Sequence, residues 1–168
     1  SDMNAPIDGA EFRRILGHYP TGVCAVTAIV DGAPAGMVVG SFPSVSLDPR
    51  LVAFFPDRKS TTWPKIEKAG RFCVNVLAHH QQHVCRALSS KAEDKFDGVG
   101  YALSDGGQPV IDDIVAWIDC DLDAVHEAGD HYIAIGRVRS LDVAHPHEPL
   151  LFLKGGYGQF AALVRSEG

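Results

Sequence analysis

Residues 115–125, with the sequence VAWIDCDLDAV, alternate regularly between apolar and acidic side chains. Successive side chains of a strand point to opposite faces of a sheet, so this spacing predicts a long strand. One face carries the apolar side chains of Ala116, Ile118, Cys120, Leu122 and Ala124. The opposite face carries the aspartates at positions 119, 121 and 123. The segment therefore favours an antiparallel β architecture.

The rest of the sequence is dominated by short apolar runs that are bounded by turn residues. These runs predict strands over 22–30, 35–42, 51–55, 71–77, 129–141 and 149–156. Helical spacing and capping residues predict helices over 8–20, 60–70 and 79–90, and 91–100 and 104–109 are predicted as polar loops. Because the order lacks the regular strand–helix alternation of a doubly wound sheet, we predict a mainly β fold, a single antiparallel barrel with peripheral helices.

The composition bounds the class of protein. A chain of 168 residues with 46% hydrophobic residues is expected to form a single domain over 1–168 with a sizeable core. A formal net charge of −6 argues against nucleic acid as the main partner. No apolar run has the length of a membrane span and no secretory pattern opens the chain, so a cytoplasmic location is expected. Ser1 and Asp2, which precede Met3, are interpreted as a cloning scar.

The four cysteines, at positions 24, 73, 85 and 120, form no C-x-x-C pair. Their spacing does not fit a structural zinc site, and most of them lie in apolar, strand-like segments. We therefore expect reduced core cysteines.

His79 and His83 would share one helical face, but no third ligand has supporting spacing, so no metal site is predicted.

Two segments contain residue types suited to ligand binding. Around Gly40 and Ser41, a Val-rich strand gives way to a serine-rich loop, where backbone and hydroxyl groups suit a polar ring edge. A plain serine-rich connection is the alternative there. Arg58 and Lys59 precede three hydroxyl residues at a predicted helix start, which suits phosphate. The alternative is a capped helix with two solvated charges. With neither a P-loop nor a G-x-G-x-x-G motif, Rossmann-type nucleotide binding is not supported.

Six segments together resemble the short-chain flavin reductases, the reductase components of two-component flavin-dependent monooxygenases. They are PTGVCAVTA, GMVVGSFPSVSLDPRLVAFF, RFCVNVL, KAEDKFDG, GDHYIAIGRV and PLLFLKGGYGQF, and they occur in the order seen in that family. Each motif alone is weak, but their order and spacing together are specific, and the resemblance spans roughly residues 12–160. The resemblance implies a flavin-binding split β-barrel, normally a homodimer with flavin near the subunit interface.

The resemblance also implies roles for individual residues. The residues expected to line the isoalloxazine ring are Val39, Gly40, Ser41, Phe42 and Ser44. Those expected at the ribityl-phosphate end are Arg58, Lys59, Ser60, Thr61 and Thr62, with Lys91, Lys95 and Phe96 closing the site. His131 would face the nicotinamide, with Tyr157 nearby. By itself, a histidine at a strand start is more often an ordinary turn residue, and it is the match to the GDH motif that favours a functional role. Many relatives have Asn where this chain has Gly40, so the resemblance implies no side-chain hydrogen bond to the flavin from that position.

The predicted activity is that of an NAD(P)H:flavin oxidoreductase, using FMN or FAD with NADH or NADPH and supplying reduced flavin to a separate oxygenase. Because the cofactors carry the hydride chemistry, neither a catalytic triad nor a metal cluster is required. The alternative from another class is a non-catalytic flavin- or haem-binding split-barrel module. A third reading is an enzyme similar to phosphopyridoxamine oxidase on a similar barrel.

Overall fold

The computed structural model describes residues 4–164, so Ser1 and Asp2 lie outside the described residues. The helices are α1 (Gly9–Leu16), α2 (Trp63–Ala69) and α3 (Gln82–Leu88). The strands of the first half are β1 (Thr21–Gly22), β2 (Cys24–Val30), β3 (Ala33–Val39), β4 (Ser44–Leu47), β5 (Arg50–Phe54) and β6 (Arg71–Val76). Those of the second half are β7 (Tyr101–Leu103), β8 (Pro109–Ile111), β9 (Ala116–Ala128), β10 (His131–Val143), β11 (Leu150–Leu153) and β12 (Gly156–Gln159).

Seven strands form the main antiparallel sheet, in the order β3-β2-β6-β9-β10-β5-β4. A second sheet has the order β1-β11-β12, and β7 and β8 form a two-stranded hairpin. This arrangement confirms the predicted mainly β class, an antiparallel split barrel with peripheral helices. None of the helices within residues 4–164 combines the length and the apolar character that crossing a bilayer requires.

The apolar face of β9 packs into one of two core clusters. Ile118 and Cys120 lie there with Phe54 and Phe72, whose rings meet edge to face at 5.1 Å between centroids. Burial raises the pKa of the Cys120 thiol to about 12, so it is not a nucleophile at neutral pH. All four cysteines are free and buried, as expected.

The aspartate face of β9 has two different environments. Asp121 and Asp123 pair with arginines, whereas the carboxyl group of Asp119 is only 4% exposed because the β7–β8 hairpin covers it. Ser104 Oγ donates to Asp119 Oδ2 at 2.6 Å, and burial raises the pKa of this carboxyl group. The segment 104–109, predicted as a loop, thus closes a hairpin that anchors itself on the sheet.

The sequence-based boundaries were wrong where short segments lack periodicity. Helix α3 begins at Gln82 rather than at residue 79, because residues 78–81 form a turn. Within this turn, Gln81 Oε1 accepts from the Ala78 amide at 2.9 Å. The hydroxyl-rich loop after Phe42 is in fact the edge strand β4. The prediction also missed the very short strands β1, β7 and β8, as well as β12, most of which lies beyond the last predicted strand.

Candidate active site

A cleft runs along β3, an edge strand of the main sheet. It consists of two cavities that share Met37 and Val38, with volumes of about 940 Å³ and about 430 Å³. We call the larger cavity the lysine end and the smaller one the histidine end. Because β3 is an edge strand, one side of its backbone has no strand partner within residues 4–164 and can hydrogen-bond a bound molecule.

The lysine end is strongly cationic. Its walls carry Lys59, Lys65, Lys91 and Lys95, with Glu93 as the single acidic residue among the lining side chains. Lys95 Nζ donates to Thr62 Oγ1 at 3.1 Å, which links the 91–95 loop to the segment before α2. In a chain with a formal net charge of −6, such a local excess of positive charge favours an anionic ligand.

The segment before α2 presents hydroxyl groups to the same cavity. Ser60, Thr61 and Thr62 all line it, as expected from the sequence. Ser60 Oγ, however, already accepts from the amides of Thr62 at 3.3 Å and Trp63 at 3.1 Å, so it caps the helix. The lysine ammonium groups are therefore better placed to bind an anion here than the first amides of α2.

The histidine end is formed by three separate segments. It is lined by Met37, Val38, Val39, Gly40, Ser41, Phe55, Asp57 and His131. His131 is the first residue of β10 and follows a turn in which Gly129 has a φ of 64°. That positive φ favours glycine and allows the turn to bring His131 to the cavity.

The imidazole of His131 is oriented by its neighbour in sequence. His131 Nδ1 lies 2.8 Å from Asp130 Oδ1, and this hydrogen bond holds the pKa of the Asp130 carboxyl below its usual range. An ionised carboxylate only accepts hydrogen bonds, so Nδ1 carries the hydrogen. No described residue hydrogen-bonds Nε2, which leaves that atom available to a ligand.

The structure assigns Arg58 a different position from its predicted one. Arg58 lines neither end of the cleft. Its Nε donates to the Gly129 carbonyl at 2.7 Å, and its guanidinium lies 4.8 Å from the centre of the Tyr132 ring. Arg58 and Lys59 are neighbours in sequence, but the Lys59 side chain lines the lysine end, whereas the Arg58 side chain contacts Gly129 and Tyr132. A contact between Arg58 and a phosphate at the lysine end is therefore not supported.

Four other predicted residues lie outside the cleft walls. Phe42 packs against the first core cluster, and Ser44 is exposed at the start of β4. Phe96 is only 7% exposed and lies behind β3, where a Cβ at Gly36 would approach its ring to 3.1 Å. Tyr157 contacts Phe152 in the smaller sheet and is not brought to His131 within one chain.

Several cleft residues were missed by the sequence analysis. Lys65 follows Thr62 by three positions, so the two side chains share one side of α2, and that spacing was an available signal. Asp57 had no local signal, because its place in the cleft depends on its pairing with His131. Gly40 lines the histidine end, and a Cβ there would meet only Thr21 Oγ1, at 3.4 Å, which is an ordinary contact. The cleft thus has room for a side chain at position 40.

The histidines outside the cleft do not form a metal site. His79 lies in the turn before α3, and its Nδ1 is 3.2 Å from Gln159 Nε2. Within residues 4–164, no group of three or more His, Cys, Asp or Glu side chains is arranged to hold a metal ion.

A split barrel whose cleft joins a cationic end to a histidine at the start of a strand is typical of a flavin-dependent oxidoreductase. The chain belongs to the flavin reductase like domain family, which its residues 16–161 match. It is 62% identical to a flavin reductase from Pseudomonas putida over 162 residues, which cover 96% of this chain and 95% of the relative.

Two solved structures are similar along most of the chain. Nitrilotriacetate monooxygenase component B from Mycobacterium thermoresistibile has a TM-score of 0.89 and 40% identity, covering 95% of this chain and 91% of the other. The NADH:FAD oxidoreductase SgcE6 from Streptomyces globisporus, in complex with NAD and FAD fragments, has a TM-score of 0.87 and 33% identity. That alignment covers 96% of this chain and 98% of the other. The resemblance inferred from the six sequence motifs is confirmed.

Proposed function

We propose that the β3 cleft binds a flavin and a reduced nicotinamide side by side, and that this chain is an NAD(P)H-dependent flavin reductase. The observation that carries the proposal is that the two cavities adjoin each other along β3. A cationic end and a histidine end meet at Met37 and Val38 along one edge strand. A flavin has a matching polarity, with a phosphate at one end and a flat aromatic ring at the other.

The residues present fit this cofactor. Lys59, Lys91 and Lys95 would bind the phosphate, since charge-assisted hydrogen bonds to phosphate are strong. The ring would lie along Val39, Gly40 and Ser41, with the free side of the β3 backbone within reach of its polar edge. These assignments keep those residues implied by the family resemblance that line the cleft, and they leave out Arg58, Phe42, Ser44, Phe96 and Tyr157, which do not line it.

The chemistry supplied by the bound cofactors is hydride transfer from nicotinamide to flavin. The protein would hold the two rings in contact and keep them aligned. His131 would do this from the nicotinamide side; in support, its Nδ1–H is held by Asp130, and no described residue hydrogen-bonds its Nε2. Through this contact it would orient the nicotinamide or stabilise negative charge that develops on the flavin.

The experiment that tests the function is a steady-state assay of reduced-nicotinamide oxidation with FMN, FAD or riboflavin added. We expect flavin-dependent turnover far above the rate of the free cofactors, with either NADH or NADPH preferred. A purified protein that carries a flavin or a haem but gives no acceleration with either nicotinamide would instead be a binding module.

The reduced flavin is proposed to pass to a separate oxygenase. Support comes from the similarity to a monooxygenase component in the structure from Mycobacterium thermoresistibile.

We also propose a cytoplasmic location and a single domain over residues 1–168; the four free thiols are consistent with the location.

A homodimer is proposed because α1 has an apolar face that stays largely exposed within the described chain. Its residues Phe12, Ile15 and Leu16 are all more than half exposed. The Lys154 amide donates to the Gly17 carbonyl at 2.9 Å, so this face adjoins the exposed aromatic residues of the smaller sheet. An apolar surface of this extent favours a partner, and a twofold dimer of identical chains is the commonest arrangement.

Light scattering should therefore give about twice the 18.0 kDa chain mass. Leu16→Glu is expected to shift the protein towards monomer, since it buries a charge in the contact. Leu103→Glu, on the exposed face of the β7–β8 hairpin, is the matched control and should leave the dimer intact. A wild-type monomer at micromolar concentration that still binds flavin would contradict the proposal.

A further inference from the structure

The pairing of β5 with β10 continues beyond the end of β5. The Tyr132 amide donates to the Pro56 carbonyl at 2.9 Å, and Asp57 forms a bridge with His131. The Arg58 amide then donates to the Asp130 carbonyl at 3.0 Å. The segment 56–58 therefore lies directly against the turn that carries His131.

The Arg58 side chain strengthens this contact. Its Nε donates to the Gly129 carbonyl at 2.7 Å, and one terminal nitrogen lies 3.4 Å from Glu127 Oε1. Its guanidinium also stacks over the Tyr132 ring, and the Tyr132 ring in turn packs beside Trp63 of α2, at 6.4 Å between centroids. A planar guanidinium can make all of these contacts at once, which a lysine cannot.

The residues that follow Arg58 belong to the other end of the cleft. The Lys59 amide donates to Asp57 Oδ1 at 2.8 Å, and the Ser60 amide donates to the Asp57 carbonyl at 3.0 Å. These hydrogen bonds fix Lys59 and Ser60 relative to the segment 56–58, which continues the pairing with β10. One short, hydrogen-bonded segment thus connects the histidine end with the lysine end.

We infer that Arg58 is a positioning residue, which fixes the Gly129–His131 turn against the 57–60 segment and so sets where His131 stands relative to a flavin held at the lysine end. The inference rests on the proposed function. Arg58 lines neither cavity, so it acts through His131 and not by touching the cofactors. Loss of the side chain would leave the backbone bond from Arg58 to Asp130 but release the Gly129 carbonyl.

The test is Arg58→Ala, followed by stopped-flow reduction of bound flavin at saturating NADH. Small displacements of a positioning group can cost up to about 100-fold in rate, and we expect about tenfold here because the backbone contacts remain. The dissociation constants of FMN and riboflavin should change by the same factor, since Arg58 does not contact phosphate. Arg58→Lys should recover part of the rate.

A double-mutant cycle separates positioning from general structural damage. If Arg58 acts through His131, then Arg58→Ala should slow reduction little or not at all when His131→Ala is already present. Arg139→Ala is the matched control, because it removes an ion pair with Asp121 from the same strand pair, far from the turn. Its reduction rate should equal that of the wild type.

Several outcomes would overturn the inference while wild-type protein still reduces flavin. One is a reduction rate in the Arg58→Ala/His131→Ala double mutant that falls by the product of the two single losses. Another is an Arg58→Ala protein that loses affinity for FMN but not for riboflavin. A third is an Arg58→Ala protein with an unchanged reduction rate and only a lower melting temperature. If Arg58→Ala does not fold, Arg58→Gln takes its place in the same cycle. An inactive wild type would refute the proposed function itself, and the inference with it.

Discussion

Replacing His131 with alanine is expected to slow reduction of the bound flavin by about 10- to 1000-fold at saturating NADH, the range for loss of one electrostatic or positioning contact. The reason is the geometry of the histidine end, where His131 lines the cavity and Asp130 fixes its Nδ1. Hydride transfer needs no proton at the moment of transfer, so activity should fall without disappearing. The affinity for oxidised flavin should change far less than the rate.

The measurement is stopped-flow flavin reduction, beside a separate flavin titration. His126→Ala provides the control, because His126 is exposed on β9 in the same hairpin and pairs with Ile133, away from the cleft lining. It should reduce flavin at the wild-type rate. A His131→Ala protein with a normal reduction rate and a lower melting temperature would identify His131 as a turn residue only.

Strong local periodicity made the long strands predictable from the sequence. The alternation over 115–125 specified the core face of β9 correctly at Ile118, Cys120 and Leu122, because a period of two is visible over these residues. A β-bulge at Asp123 then shifts the phase, so that Val125 packs against the core in place of the predicted Ala124. Strands such as β1, with two residues, are too short to show a period, and their partners are distant in sequence. The buried position of Asp119 also had no local signal, because a hairpin from elsewhere in the chain covers it.

The candidate site was predictable at the level of segments but not of side-chain direction. The segments predicted from the motifs contain residues that line both cavities. Gly40, Ser41 and His131 line the histidine end, and Lys59, Lys91 and Lys95 line the lysine end. Arg58 and Lys59 are neighbours in sequence, yet only the second faces the cleft. They are the two central residues of a turn, which the Ser60 amide closes by donating to the Asp57 carbonyl at 3.0 Å. Which of the two side chains faces the ligand therefore depends on how this turn pairs with β10, and a single sequence does not show that pairing.

Because Lys59 and Lys95 line the lysine end and Arg58 does not, the two lysines are expected to bind the flavin phosphate. The double variant Lys59→Ala/Lys95→Ala should weaken FMN binding by about 10- to 100-fold, since a hydrogen bond to a charged group contributes roughly 1.5–3 kcal/mol and both lysines are partly solvated. Riboflavin lacks the phosphate, so its affinity should change little. The melting temperature should fall only slightly, because Lys59 is exposed and loss of the single Lys95–Thr62 hydrogen bond costs about 1 kcal/mol.

Fluorescence titration of FMN and riboflavin at two salt concentrations provides the measurement. Added salt should weaken FMN binding to wild-type protein and have less effect on the double variant, because screening acts on the charges that the variant lacks. Lys68→Ala is the matched control, since Lys68 is also on α2 but is 73% exposed and lies 3.8 Å from Asp31, outside the cleft. Equal losses of FMN and riboflavin affinity would mean that the phosphate is bound elsewhere and that the lysines act on the shape of the cleft.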